Sequence, residues 1–352
     1  MTLILYTTGK CNLNCDYCGG SFPPKLVPWE VEYSLDKLID FIEGVEELVI
    51  AFYGGEPLLN PGFIMKVMDN ISASKYVIQT NGTLVRELPI EYWRKFDTVL
   101  ISIDGPEWLT DRHRGKGVYR TVIDNVKWLR EVGVKADIVA RMTVTEDSDI
   151  YRDVTHLLDL NLFDHVHWQL NFIWTEDWKD VRKWVEESYK PGLRRLVKLW
   201  IDEIRRGKIL GIAPFQGILK RMKVGGPCPP CGSGSDSFTI LTNGKVVACP
   251  IAVYEEWAFL GNLGNVKLKS LINRKCMISE PCINCKYFRI CGGRCLYTYK
   301  ERLWGDEGFK LTCEVTKYLI GLVYDVEPII ETEGLINEVL YPPFNNTIEI
   351  TP

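Results

Sequence analysis

Cys11, Cys15 and Cys18 fall within eight residues, in the spacing C-x3-C-x2-C. Three thiolates can hold three irons of a cubane cluster and leave the fourth iron without a protein ligand. Such an open position separates a catalytic metal site from a closed structural one. A zinc knuckle or a group of buried free thiols would use the same spacing. A second set of cysteines lies in the last third: Cys228, Cys231, Cys249, Cys276, the run Cys282-x2-Cys285-x5-Cys291-x3-Cys295, and Cys313. C-x2-C pairs also build zinc ribbons. The chain starts its first apolar run at Thr2, with no charged leader region or cleavage site. A soluble, cytoplasmic protein is therefore expected. In that compartment twelve cysteines argue for metal and against a disulfide framework.

Other polar residues sit where strands should end. Phe52-Tyr53-Gly54-Gly55-Glu56-Pro57 offers two glycines that let backbone approach a ligand, a carboxylate, and a proline that stops the strand. An ordinary strand-to-helix turn would read the same. Gln79-Thr80-Asn81-Gly82 carries the Asn-Gly signal of a turn. In Ser102-Ile103-Asp104-Gly105-Pro106, the Asp104 carboxylate either meets a ligand or caps the next helix. Arg141 lies inside an apolar run and needs a partner, either an ion pair or a ligand carboxylate gripped by both prongs of its guanidinium. Gln169 and Asn171 alternate with apolar neighbours and so share one face, open to substrate or cofactor; Trp168 and Phe172 read as core.

These residues need a scaffold, and the pattern supplies one. Apolar runs at 3–6, 48–52, 76–79, 99–103, 136–144 and 166–172 read as strands. Stretches at 35–43, 63–71, 90–95, 119–132 and 150–160 carry apolar residues at helical spacing. Alternation in series predicts a parallel sheet with right-handed crossovers. Six strands are too few for a closed eight-stranded barrel, so an α/β fold with an open partial (βα)6 barrel is expected. Residues from Asp177 to Arg206 read as a long charged helix. The Pro214 and Gly225-Gly226-Pro227 punctuation reads as a joint. The expected division is 1–207 barrel, 208–226 linker, 227–314 cysteine-rich domain and 315–352 helical tail ending in Tyr341-Pro342-Pro343.

The cysteine triplet, with Tyr17 before its last member, resembles the signature of the radical S-adenosylmethionine (radical SAM) family. The later motifs agree with it in order. Gly54-Gly55-Glu56-Pro57 is similar to the family's G-G-E-P element, which implies contact with the methionyl amino group. Asn81, Ser102 and Asp104 fall at strand ends that line the family's active site, Asp104 being a candidate for a ribose or substrate contact. The resemblance extends to the S-x-D-G-P…H-x-x-R-G run of the peptide-modifying branch, although here Arg114 directly follows His113, which reads as structural. Arg141 is then a candidate for the methionyl carboxylate, and Tyr17, Tyr53 and Gln169 for further cofactor contacts. Cys11, Cys15, Cys18 and Asp104 are the candidate catalytic set.

The second cysteine set resembles the SPASM auxiliary-cluster domain, with a hairpin turning at Asn243-Gly244 before Cys249. This implies two further 4Fe–4S clusters, on Cys228, Cys231, Cys249 and Cys295, and on Cys282, Cys285, Cys291 and Cys313. With all eight positions filled, neither cluster would be open to substrate. Cys276 is left as a plain thiol. Sulfatase-maturing relatives carry an aspartate directly after the hairpin cysteine; Pro250 stands there, which disfavours formylglycine formation. The triplet starts at residue 11, so no fused leader-peptide-binding domain is expected ahead of it.

A net charge of −4 with interleaved signs gives no basic stripe for nucleic acid, and no apolar run reaches transmembrane length. Scarce glutamine with abundant Glu, Lys, Ile and Val fits a thermophile. The resemblance implies reductive cleavage of S-adenosylmethionine to a 5′-deoxyadenosyl radical. That radical would abstract hydrogen from a peptide or protein, to crosslink or oxidise it under anaerobic conditions. A ferredoxin- or flavodoxin-like donor would supply electrons, and a separate recognition protein could deliver the substrate. Two rivals stand: a small-molecule or metal-cofactor precursor as substrate, or a non-enzymatic carrier with several clusters, in which G-G-E-P would have no purpose.

Overall fold

The computed structural model describes residues 1–171, 178–272 and 274–332. Six strands, β1 (Thr2–Tyr6), β2 (Val49–Tyr53), β3 (Lys75–Thr80), β4 (Thr98–Ser102), β5 (Asp137–Val144) and β6 (His165–Leu170), pair in parallel in sequence order. Their near-continuous apolar runs suit strands covered on both faces; every residue of β1 is buried. Between them run α1 (Leu35–Ile42), α2 (Pro61–Asn70), α3 (Ile90–Trp93), α4 (Glu107–Arg114), α5 (Val118–Glu131) and α6 (Ile150–Asp159). Asn60 and Asp149 start α2 and α6 by accepting hydrogen bonds from the Phe63 and Arg152 amides. The outer faces of the strands and the inner faces of these helices share one large core that includes Phe41, Phe52, Trp93, Leu129 and Trp168. A second, smaller layer of Ile4, Val49, Ala51, Val77, Leu100, Val139 and Ala213 fills the barrel interior. It forms a floor beneath the strand ends. Helix α4 had no clear apolar period and was not expected.

The barrel remains open. The sheet continues past β1 into β7 (Ser237–Ile240), β8 (Lys245–Val247) and β9 (Phe259–Asn262), in the order β6-β5-β4-β3-β2-β1-β7-β8-β9. β7 runs parallel to β1 and antiparallel to β8. The hairpin turning at Gly244 is therefore as expected, but it extends the barrel sheet rather than standing apart from it.

After β6, α7 (Val181–Trp184) passes through a π-helical turn at Val185–Tyr189 into α8 (Lys190–Arg205). The stretch 208–226 is not a linker. It holds α9 (Ala213–Val224), whose Phe215, Ile218 and Leu219 are fully buried. Pro214 stands in its first turn and Gly225 ends it, the usual proline-first, glycine-last asymmetry of a helix. The Val166 amide donates to the Gly211 carbonyl at 2.7 Å, so this segment also covers the free edge of β6. Four helices follow α10 (Leu268–Leu271): α11 (Phe288–Cys291), α12 (Leu296–Glu301), α13 (Gly305–Tyr324) and α14 (Glu327–Thr332). α13 carries Cys313, runs through the boundary expected at 314/315, and packs on α8, α9 and α11. Phe172, Asp177 and Tyr341-Pro342-Pro343 lie outside the described residues. Among the described residues no helix is long and apolar enough to cross a membrane.

Candidate active site

The loop leaving β1 carries Cys11, Cys15 and Cys18, and three neighbours hold it. The end of β2 comes first. The Gly55 amide donates to the Thr8 carbonyl (3.0 Å) and the Glu56 amide to the Lys10 carbonyl (2.8 Å). A β-carbon on Gly54 would stand 2.4 Å from the Thr8 oxygen, and one on Gly55 2.3 Å from the Lys10 oxygen. The two glycines are thus required where backbone meets the cysteine loop, a constraint distinct from both the ligand contact and the ordinary turn that the motif suggests.

Glu56 is 1% exposed. It accepts hydrogen bonds from the Leu58 amide (3.1 Å), the Thr80 hydroxyl (2.6 Å) and the Asn81 amide (2.7 Å). Burial pushes its carboxyl up to about 7 against these three donors, which favour the ionised form. The carboxylate binds the end of β2 to the turn after β3. That turn is the second support: the Asn81 side-chain amide donates to Asn12 (2.8 Å), and Asn12 donates to the Thr83 hydroxyl (2.9 Å).

Helix α4 and β4 form the third. Asp104 is fully buried and accepts from Arg114 Nε (2.8 Å) and Nη2 (2.7 Å), from the Tyr17 hydroxyl (2.7 Å) and from the Thr143 amide (2.9 Å). It does not cap α4, whose N-cap is Pro106, and it does not line the cavity described below. Asp104, expected in the catalytic set, thus accepts from donors on three separate elements and anchors the cysteine loop. His113 is structural, as read, with Nδ1 2.8 Å from Asp16 and Nε2 3.1 Å from the Thr145 hydroxyl. The sequence marked Arg114 only by its departure from the family spacing; its pairing with Asp104, and that of Asp16 with His113, carries no local signal.

Above the barrel floor opens a cavity of about 660 Å³, the size of a small-molecule site. It sits at the carboxyl ends of the strands, where parallel barrels gather their chemistry. Cys11, Cys15, Tyr17, Cys18, Tyr53, Gly54, Gly55, Glu56, Asn81, Ser102, Arg141 and Gln169 line it; Pro57 is buried and does not. Arg141 donates through Nη2 to Gln169 (2.5 Å), while its buried Nη1 and the Asn171 Oδ1 have no partner among the described residues. Asn171 lines the cavity too, so the shared face expected for Gln169 and Asn171 is present.

The opposite wall comes from the last third of the chain: Cys231, Cys249, Pro250, Tyr254, Arg294 and Cys295. The Tyr6 hydroxyl donates to the Pro250 carbonyl (2.6 Å) and fixes that wall to β1. Cys282, Cys285, Cys291 and Cys313 line a separate cavity of about 120 Å³, as does Cys295. Cys276 is not an isolated thiol: it is disulfide-bonded to Cys228, which the sequence reading assigned to iron.

These residues fit the groups implied by the motifs. Among the described residues no three His, Cys, Asp or Glu side chains converge to hold one metal ion. A cubane, by contrast, takes each thiolate on a different iron. Cys11, Cys15 and Cys18 rim a cavity with room for a ligand. The unpartnered Arg141 nitrogen stands ready for a carboxylate, since a buried donor without a partner costs about 1–3 kcal/mol.

Comparison with known proteins agrees with this geometry. Residues 5–157 match the profile of the radical SAM superfamily. The chain is 25% identical over 336 residues to a cysteine-type anaerobic sulfatase-maturating enzyme of Clostridium perfringens, covering 83% of this chain and 88% of that one. It is 24% identical to the radical SAM cyclopropyl synthase TigE of Paramaledivibacter caminithermalis, over 90% of this chain and 72% of that one. Among solved structures, anSMEcpe with bound AdoMet and Cp18Cys peptide superposes with a TM-score of 0.71 at 20% identity, covering 95% of this chain and 99% of that one. Streptococcus suis SuiB bound to precursor peptide SuiA does so with 0.55 at 19% identity, covering 84% and 72%. Residues 5–157 form the domain of a radical SAM enzyme. The chain as a whole is similar in sequence and fold to the anaerobic sulfatase maturases.

Proposed function

We propose that this protein modifies a peptide or protein substrate, forming a crosslink or oxidising a residue, with three 4Fe–4S clusters and S-adenosylmethionine. One observation carries the reading. A single cavity has the Cys11, Cys15 and Cys18 loop on one wall and Cys231, Cys249 and Cys295 on the other. A substrate side chain held there lies between the radical site and the first auxiliary site. When bound, the cluster and S-adenosylmethionine would supply a 5′-deoxyadenosyl radical. The chain's own residues then have distinct tasks. Arg141, steadied by Gln169, grips the methionyl carboxylate. Gly54 to Glu56 and Asn81 hold the cysteine loop in place. The enclosing walls exclude water from reactive species.

The name of the sulfatase-maturating relative supports a peptide or protein substrate, as do the peptides in two of the superposed structures. On the auxiliary wall Pro250 occupies the position of the sulfatase maturases' aspartate, and no carboxylate lines that wall among the described residues. Without a base there, crosslinking fits better than formylglycine formation. A low-potential ferredoxin or flavodoxin is the electron donor in this reading.

The test is isotope transfer. Anaerobically reconstituted protein is given S-adenosylmethionine, a reductant and deuterated candidate peptides encoded near its gene. Deuterium in 5′-deoxyadenosine, with a peptide lighter by a pair of hydrogens, is the expected result. Label arriving only from a small-molecule substrate would overturn the peptide reading, and electron transfer with S-adenosylmethionine left intact would overturn radical chemistry altogether.

A further inference from the structure

Cys276 lies outside the cysteine pattern that assigns the auxiliary ligands, yet the fold places it at the first auxiliary site. It is bonded to Cys228 with a Cα–Cα separation of 5.5 Å across 48 residues of sequence. Its segment is locked there independently of that bond. A β-carbon on Gly234 would stand 2.9 Å from the Met277 sulfur, 3.4 Å from the Ala248 β-carbon and 3.6 Å from Leu296. Met277, Ala248 and Leu296 are the chain neighbours of Cys276, Cys249 and Cys295. Beyond it, the Ser279 amide donates to the Tyr299 hydroxyl (3.1 Å), and Ile278 packs where Gly293 leaves room. Cys228, Cys249, Cys276 and Cys295 share one apolar cluster, bordered by Cys282 of the second set. Together with Cys231 this makes five thiols for a cubane's four irons. Three of them, Cys231, Cys249 and Cys295, line the large cavity; Cys228 and Cys276 do not.

We propose that Cys276 is a ligand-competent member of the first auxiliary site and exchanges with Cys228 for one iron position. This rests on the auxiliary clusters of the proposed function. Cys231, Cys249 and Cys295 are the constant ligands on the cavity wall. The fourth position, off that wall, is served by whichever of the paired thiols is free. Ligation requires the bond between them to be open. A dithiol reductant opens it, delivering two electrons and two protons to the two sulfurs and itself closing to a cyclic disulfide.

The experiment compares wild type, Cys228→Ser, Cys276→Ser and the double variant, all reconstituted anaerobically with dithiothreitol. Iron content, the electron paramagnetic resonance spectrum of the reduced protein and iron release to a chelator are read for each. Each single variant should match wild type, because the remaining thiol takes the position. The double variant should show an altered auxiliary signal and release iron roughly tenfold or more faster, as expected for a lost ligand. Either single variant behaving like the double would overturn the exchange. If a serine variant fails to fold, anaerobic alkylation of the native wild-type holoprotein decides the matter. Cys228 and Cys276 should each be partly modified, whereas complete protection of one and complete modification of the other would overturn the proposal. A wild-type protein with about four irons and bound zinc would instead sink the cluster reading itself.

Discussion

Arg141 shows how a single residue's environment narrows its role. Its Nη2 is held by Gln169, and its Nη1 is buried on the cavity wall without a partner among the described residues. If it grips the methionyl carboxylate, Arg141→Ala should weaken S-adenosylmethionine binding about tenfold to a hundredfold, the worth of a charged hydrogen bond. Equilibrium dialysis of the reconstituted protein measures this; unchanged affinity would make Arg141 a scaffold residue. Glu56 gives a pH signature. Its folded carboxyl titrates near 7 against an ordinary value of 4.5. Between those values the folded chain keeps a proton that the unfolded chain has lost. Stability should therefore fall as pH rises through this window, by about 3 kcal/mol in all, and level off above it. Urea midpoints from about pH 5.5 to 8 should show the slope in wild type and lose it in Glu56→Gln.

At the scale of elements, the cysteine loop is a junction of β1, β2, β3 and α4. Gly55→Ala would drive a β-carbon into the Lys10 carbonyl and displace the loop. The expected outcome is a loss of about four irons per chain with the auxiliary signals retained; full iron content would show that the loop can yield. Asp104 tests the junction from the other side. Asp104→Asn breaks a buried ion pair with Arg114, a change that typically costs about 3–5 kcal/mol. The denaturation midpoint should drop together with cluster retention. Lost turnover with unchanged stability and unchanged iron would restore Asp104 as a catalytic residue.

The molecule as a whole is tied together by pairing that no local pattern announces. β7 adds to β1, so the cysteine-rich third completes the sheet that the barrel begins. A chain cut after residue 207 would expose the apolar edge of β1 and lose α9 from beneath the barrel. Exposed edges of this kind aggregate. Such a fragment should be insoluble or bind no cluster when tested by size-exclusion chromatography and iron assay. A monomeric fragment with about four irons would mark the expected boundary as a true domain limit.

The strands, most of the helices, the cysteine triplet and the cavity-lining strand ends were legible from the sequence alone. Strand alternation and motif spacing are local quantities, and a β-strand end followed by Gly-Gly-Glu or Asn-Gly carries its own turn chemistry. Four things were decided only by the tertiary structure. Asp104 became an anchor because Arg114, Tyr17 and Thr143 converge on it from separate elements. Gly54 and Gly55 proved to be shaped by the Thr8 and Lys10 carbonyls. Pro214 and Gly225 mark a buried helix, because the same residues punctuate helix ends and domain joints. Cys276 joined Cys228 across 48 residues of sequence. Each of these depends on which distant groups share a small volume, and that is set by packing of the whole sheet and its helices rather than by the order of residues along any one segment.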